Sequence, residues 1–114
     1  MEFLFVINDS PYGSQRAFNA LRLALFLSHD SPIGVFLMGD GVTCALAGLA
    51  PVDADYNPQE MLKEIAASKS PIAACRTCME ARGLTQGSLI PEVQRGTLDQ
   101  LADWTRKAAK VLTF

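Results

Sequence analysis

Histidine and cysteine are scarce in this sequence, which excludes several kinds of catalytic and metal site. The 114 residues include one histidine, His29, and three cysteines, Cys44, Cys75 and Cys78. So few soft ligands cannot form a closed four-ligand zinc site within one chain unless Cys44 and a non-thiol group both join it. His29 stands in a polar turn far from the thiols, so neither a Ser-His-Asp nor a Cys-His pairing is expected. We therefore predict no metal and no cofactor.

Excess charge of one sign and long apolar runs are also lacking. The net charge of −2 gives no basic footprint for nucleic acid. No apolar run approaches the roughly 20 residues of a membrane span, and the first one, Phe3–Ile7, is too short for a signal peptide. A secreted disulfide scaffold would carry more cysteines, in an even number. We therefore expect a cytoplasmic protein that binds neither nucleic acid nor membrane.

The sequence does contain an alternation of apolar strands and helices. Continuous apolar runs at Phe3–Ile7 and Ile33–Met38 are typical of central strands in a parallel sheet. Further strands are predicted before Cys75, at 92–95 and at 110–114, and helices at about 14–27, 41–47, 57–68, 77–83 and 97–108. This alternation predicts the α/β class: a single three-layer α/β/α domain, residues 1–114, with a mostly parallel five-stranded sheet and right-handed crossovers.

Several helix ends and faces can be predicted from local patterns. Asp40 is expected to cap the helix at 41–47 and Asn57 the next helix. The last helix begins with a capping-box pattern at 97–100, and its inward face is expected to include Leu98. On the first helix Leu23 and Phe26 fall on the polar side. Their exposure could be incidental, or it could mark a subunit contact.

The segment 71–84 combines a short apolar strand with a C-x-x-C motif. Thr77, with Glu80 three residues later, is a capping-box pattern. It would place Cys75 in the turn after the strand and Cys78 at the first helical position. Arg76 lies between the two thiols in the sequence.

The surroundings of this turn favour a reactive thiolate. A helix N-terminus and nearby cations, here Arg76 and Arg82, lower the pKa of a thiol. The chemistry that this permits is nucleophilic attack by sulfur. A thiol that accepts and passes on a sulfur atom needs no general base if its thiolate is already favoured.

Polar side chains follow the strands that precede Cys75. Asn8 and Asp9 come directly after the first predicted strand, and Asp40 follows the second. Ligands of such sheets bind beyond the carboxyl ends of the strands. We therefore expect these side chains to share one edge of the sheet with Cys75.

Taken together, these motifs resemble the DsrE/DsrF-like sulfur-relay family, in particular its small stand-alone members with the YchN-like fold. The likeness runs from the first strand to the end of the chain. The matching segments are 8–13 (NDSPYG), 19–24 (NALRLA), 35–44 (VFLMGDGVTC), 56–57 (YN), 75–84 (CRTCMEARGL) and 111–114 (VLTF).

The resemblance implies an assembly and a site. Members of the family form homotrimers or homohexamers, and in the active sulfur-transfer members the cysteine after the third strand, here Cys75, carries a persulfide. Dedicated relay subunits do not need the second cysteine, here Cys78. A nearby thiol of this kind could resolve the persulfide into a disulfide and release sulfide. The resemblance identifies neither the sulfur donor nor the acceptor protein.

Three hypotheses follow for function. The first is a cytoplasmic sulfur carrier, a possible sulfurtransferase, with Cys75 and Cys78 as catalytic residues. Its expected substrate-binding residues are Asn8, Asp9, Asp40, Thr43, Arg76 and Arg82. The second is an oligomeric module that binds a nucleotide or an anion at the same edge without catalysis. The third is a dithiol oxidoreductase, but thioredoxin-type proteins carry their C-x-x-C motif early and before a long helix, whereas here it is late and precedes a short one.

Overall fold

The computed structural model describes all 114 residues. Five strands alternate with four α-helices. The strands are β1 (Phe3–Ile7), β2 (Ile33–Leu37), β3 (Ile72–Cys75), β4 (Gln94–Gly96) and β5 (Lys110–Thr113). The helices are α1 (Arg16–Ser28), α2 (Pro58–Ala67), α3 (Arg76–Ala81) and α4 (Leu98–Lys107), with 3₁₀ helices at Gly39–Ala45 and Gln86–Ser88. No helix combines the length and the apolar character that crossing a membrane requires.

The sheet has the strand order β4-β3-β2-β1-β5, and all its pairings are parallel. The chain steps one way from β1 to β4 and then crosses back to β5. Because such crossovers are right-handed, the return through α4 lies on the opposite face from α1 and α2. Trp104 of α4 packs edge-on against Phe36 of β2, with 5.9 Å between ring centroids. The predicted α/β fold with a five-stranded sheet is confirmed, and the sheet is fully parallel.

The core lies around the three central strands. All five residues of β2 and all four of β3 are buried, as expected for parallel strands covered on both faces. They belong to one cluster of 25 buried apolar residues, to which α1 contributes mainly alanines and Leu21. The edge strands β4 and β5 are largely exposed. The central strands therefore form a rigid base for the loops at their carboxyl ends.

The segment after β2 departs from the predicted helix at 41–47. It forms a 3₁₀ helix from Gly39 to Ala45, and the residue before it is Met38 rather than Asp40. The reason is close packing against the end of β1. The N–H of Gly41 donates to the carbonyl of Asn8 at 3.0 Å, and a Cβ on Gly41 would collide with the carbonyl of Ile7. The chain is thereby wound more tightly than in an α-helix.

Helix α4 rests on the sheet differently from the prediction. None of its residues is fully buried, and Leu98, expected on the inward face, is 70% exposed. Helix α4 packs on this face through partly buried side chains that include Leu101 and Trp104, and Met1 occupies the space beside Gly34, with Trp104 next to it. The predicted caps of α2 and α4 are present, because the Asn57 side chain accepts the N–H of Glu60 and the Thr97 side chain accepts that of Gln100.

The outer edge of β4 is covered by a side chain. The amide nitrogen of Gln86 donates to the carbonyl of Val93 at 2.8 Å, and its amide oxygen accepts the N–H of Arg95 at 3.0 Å. These two backbone groups lie one residue to either side of Gln94. The Gln86 amide therefore bonds β4 as a neighbouring strand would.

Candidate functional site

Cys75 is the last residue of β3 and the N-cap of α3. Its sulfur accepts the backbone N–H of Cys78 at 3.5 Å and lies 3.2 Å from the hydroxyl oxygen of Thr77. The helix therefore begins at Arg76, one residue before the Thr77 cap that the sequence suggested. Cys78 is accordingly the third helical residue and not the first. The cap is a sulfur atom, which capping patterns built on Ser, Thr, Asp and Asn do not anticipate.

Hydrogen bonding makes the Cys75 thiol more acidic than usual. Burial by itself raises the pKa of this thiol. The Thr77 hydroxyl, the Cys78 side chain and the backbone N–H groups of Cys78 and Thr77 all favour the thiolate, and together they leave the pKa lowered. A sulfur with a lowered pKa carries more thiolate near neutrality, which is the nucleophilic form.

The Cys75 side chain faces a cleft at the carboxyl ends of β3 and β4. The residue is only 7% exposed. The residue nevertheless lines an opening of about 240 Å³, together with Arg76, Thr77, Gly96, Thr97 and Leu98. The thiol is thus shielded on most sides and reachable from one.

Gly96 lines the cleft beside Cys75, and its surroundings leave no room for a side chain. It pairs in register with Cys75 across β3 and β4. A Cβ at this position would lie 3.0 Å from the Cβ of Ala73 and 3.1 Å from the Phe36 ring, closer than ordinary packing permits. The sequence pattern did not single out Gly96 or Thr97. The predicted strand at 92–95 ends beside both residues, and the rule that sites gather where parallel strands end is the signal that points to them.

Cys78 is half-buried, and the pKa of its thiol is raised, whereas that of Cys75 is lowered. Burial raises its pKa, and the hydrogen bond and negative charge of Cys75 raise it further. The Gly39 amide and Arg82 act in the other direction without cancelling the effect. Cys78 does not line the cleft. The motif therefore holds one thiol that ionises readily and one that retains its proton.

Arg82 and Asp40 join α3 to the 3₁₀ helix after β2. The guanidinium of Arg82 donates to one carboxylate oxygen of Asp40 from Nη2 at 2.8 Å and from Nε at 3.1 Å. Its Nη1 donates to the carbonyl of Cys78 at 3.0 Å. Both residues, predicted for substrate binding, therefore lie beside Cys78, and neither lines the cleft.

The remaining predicted binding residues are arranged along the same edge. Arg76 lines the cleft and forms an exposed ion pair with Glu80 at 3.5 Å. The Asn8 side chain donates to the carbonyl of Phe114 at 3.3 Å. Asp9 accepts the hydroxyl of Ser14, and Thr43 donates to the carbonyl of Asp40. Of the six, only Arg76 shares the cleft with Cys75, and the binding roles of all six stay predictions.

The other soft ligands lie apart from the cleft. Cys44 is fully buried, and burial raises the pKa of its thiol to about 12. His29 caps the C-terminal end of α1 just before β2 begins, at the opposite end of the strands from Cys75. No three side chains of the His, Cys, Asp and Glu types come together as metal ligands.

Comparison with known proteins identifies the relatives of this chain. The DsrE/DsrF-like family matches residues 1–114. Protein YchN of Escherichia coli K12 is 43% identical over 116 residues, which cover 99% of this chain and 98% of that protein. The crystal structure of the ychN protein from E. coli superposes with a TM-score of 0.93 over 100% of this chain and 99% of that one. A protein named TusC homolog, from Vibrio parahaemolyticus, is 28% identical over 99% of this chain and 98% of its own length.

Proposed function

Because this chain belongs to the DsrE/DsrF-like family along its whole length, we propose that it is a sulfur carrier that holds a sulfane sulfur as a persulfide on Cys75. The observation that carries the proposal is the Cys75 thiol itself. It is hydrogen-bonded toward its thiolate form and faces a cleft at the end of a buried parallel strand. The name of the TusC homolog among its relatives is consistent with this class of function.

Loading requires only thiolate chemistry. The Cys75 thiolate attacks the outer sulfur of a donor persulfide, R–S–SH. A bond forms between the Cys75 sulfur and that outer sulfur, the donor S–S bond breaks, and the donor leaves as a thiolate. Delivery is the same reaction with an acceptor thiolate as the attacking group. No general base is needed, because Cys75 enters as the thiolate.

The cleft provides the space for this exchange. An opening of about 240 Å³ admits a sulfur atom together with the end of a thiol-bearing side chain or small molecule. Arg76 at its rim supplies positive charge to the anionic persulfide. Thr77 and the Cys78 N–H hold the inner sulfur in place. Asn8, Asp9, Asp40, Thr43 and Arg82 shape the surrounding edge in the same proposal.

Self-association and a cytoplasmic location belong to the same proposal. We expect homotrimers or homohexamers, supported by two exposed apolar side chains on α1, Phe26 at 82% and Leu23 at 43%. All three cysteines are free thiols, which suits a reducing compartment. Donor and acceptor are expected to be thiol-bearing proteins or small molecules.

The decisive experiment is intact-mass analysis after incubation with glutathione persulfide. Early in the reaction, the wild-type chain and a Cys44→Ala control are expected to gain one sulfur atom, which dithiothreitol removes. Cys75→Ser is expected to gain none. Serine is a good N-cap, so this variant keeps the start of α3, and circular dichroism confirms its fold. Absence of added sulfur both from the wild type early in the reaction and from Cys78→Ser, which lacks the second thiol, would reject the carrier function and leave the non-catalytic binding module.

A further inference from the structure

The second thiol of the motif has no part in simple loading and delivery, yet it is held against the first. Cys75 caps α3 and Cys78 is the third residue of that helix, with its N–H bonded to the Cys75 sulfur. Side chains three apart on a helix have Cβ atoms about 5–6 Å apart, and a disulfide needs about 3.8 Å. A small rotation of the non-helical Cys75 backbone covers the difference.

Resting on the carrier function proposed above, we propose that Cys78 attacks the inner sulfur of the Cys75 persulfide, so that the protein releases its sulfur as hydrosulfide and is left with a Cys75–Cys78 disulfide. The protein would then be a sulfide-releasing carrier, which is a further activity and not only a relay.

The placement of the cleft determines which sulfur is attacked. The cleft is lined by Cys75 and by residues of β4 and α4, while Cys78 lies outside it. An outer sulfur on Cys75 extends into that cleft, so Cys78 approaches from the other side of the Cys75 sulfur. Attack in line with the breaking bond therefore meets the inner sulfur and expels the outer one into the opening.

Atoms and electrons balance in this step. The persulfide anion Cys75–S–S⁻ reacts with Cys78–SH to give Cys75–S–S–Cys78 and HS⁻. The new bond joins the two cysteine sulfurs, the bond to the sulfane sulfur breaks, and the Cys78 proton leaves with hydrosulfide. The sulfane sulfur is reduced and the two thiols are oxidised. A further cycle requires an external dithiol, which reduces the disulfide by exchange.

The surroundings of Cys78 suit this role. Burial and the neighbouring Cys75 raise the pKa of Cys78, so this thiol keeps its proton until the proton passes to the outer sulfur of the persulfide, which leaves Cys78 as the attacking thiolate. Arg82 bonds the Cys78 carbonyl and Asp40 together, which holds the turn that carries both thiols against the 3₁₀ helix. Cys44 is fully buried and cannot substitute for Cys78.

The test compares wild type, Cys78→Ser and Cys44→Ala after a pulse of glutathione persulfide and removal of excess donor. Wild type and Cys44→Ala are expected to release about one equivalent of sulfide per chain and to lose two hydrogens relative to the reduced mass. Cys78→Ser is expected to keep its added sulfur and release at least tenfold less sulfide. Adding dithiothreitol to the discharged wild type should restore the reduced mass.

The outcomes separate this inference from the carrier function. If wild type holds its added sulfur as long as Cys78→Ser does, the inference is wrong and the carrier function stands. If neither protein gains sulfur, the carrier function fails first. A redox titration in glutathione buffers tests the disulfide alone, and a Cys75–Cys78 pair that stays reduced in fully oxidised glutathione would overturn the inference independently.

Discussion

Replacing Thr77 by valine should change the reactivity of Cys75 in a manner that depends on pH. The Thr77 hydroxyl lies 3.2 Å from the Cys75 sulfur and favours its thiolate. A hydrogen bond to a charged group contributes about 1.5–3 kcal/mol, and we take the lower figure because sulfur is a weak acceptor. At fixed pH below the pKa, the ratio of thiolate to thiol then falls about tenfold.

In Thr77→Val the smaller fraction of Cys75 thiolate is partly offset, because each thiolate of the variant is more basic and therefore a stronger nucleophile. Nucleophilicity rises with basicity with a coefficient of about 0.5, so each thiolate of the variant reacts about threefold faster. Below the pKa, alkylation of Cys75 in Thr77→Val should therefore be about threefold slower than in wild type. Above the pKa, where both proteins are fully ionised, it should be about threefold faster.

The assay is the rate of iodoacetamide labelling at Cys75 from pH 5 to pH 10, assigned by peptide mass analysis. Thr77→Ser is the matched control, because it keeps the hydroxyl, and its profile should follow that of wild type. A Thr77→Val rate that is lower by the same factor at every pH would indicate altered access to the cleft. That result would refute the hydrogen-bond explanation, as would a valine profile identical to wild type.

Three other predictions concern parts of the chain away from the cleft. Gln59 is 3% exposed and neither atom of its amide group has a hydrogen-bond partner, so Gln59→Met should stabilise the fold by about 1–2 kcal/mol. The measurement is the midpoint of urea unfolding. Gln59→Glu, which buries a charge, should lower the stability of the fold. A lower midpoint for Gln59→Met than for wild type would contradict the reasoning. Burial raises the pKa of Cys44 to about 12. In the folded protein at pH 9, Cys44 should therefore resist iodoacetamide, whereas in urea it should be labelled at the rate of an ordinary thiol. If Cys44 of the folded protein were labelled as fast as Cys78, the 3₁₀ helix that carries it would have to open. Phe26→Glu should convert the expected homotrimer or homohexamer to a smaller species in light scattering with little change in monomer stability. Lys107→Glu on α4, on the opposite face of the sheet, should not. An unchanged mass for Phe26→Glu would remove this part of α1 from the interface.

The sheet could be predicted from the sequence because its central strands are encoded locally. Phe3–Ile7 and Ile33–Leu37 are continuous apolar runs, and such runs are stable only where both faces are covered. Asn57 followed by proline and an acid three residues on encodes its helix start in the same local way. The position of Cys75 at a strand end followed from these elements without knowledge of their spatial order.

What the sequence could not predict depends on contacts between distant segments. The 3₁₀ helix after β2 follows from Gly41 meeting the end of β1, a contact over more than 30 positions. A strand near β4 was predicted, but its exposed, polar side chains do not indicate which strand it joins, so its place beside Cys75 and the resulting cleft were not predictable. The sulfur cap moved the start of α3 two residues earlier than predicted, which changed the place of Cys78 in the helix.

Because of Gln86, the two edges of the sheet differ in whether another strand can pair with them. Because its amide occupies the free backbone groups of β4, added backbone can join this sheet only alongside β5, at the far edge from the thiol cleft. If two molecules paired through their β5 strands, the joined sheet would have a β4 strand at each edge. Gln86 covers both of these edges, so no further strand could add. The Gln86 side chain thus blocks the β4 edge of the sheet from pairing with another strand.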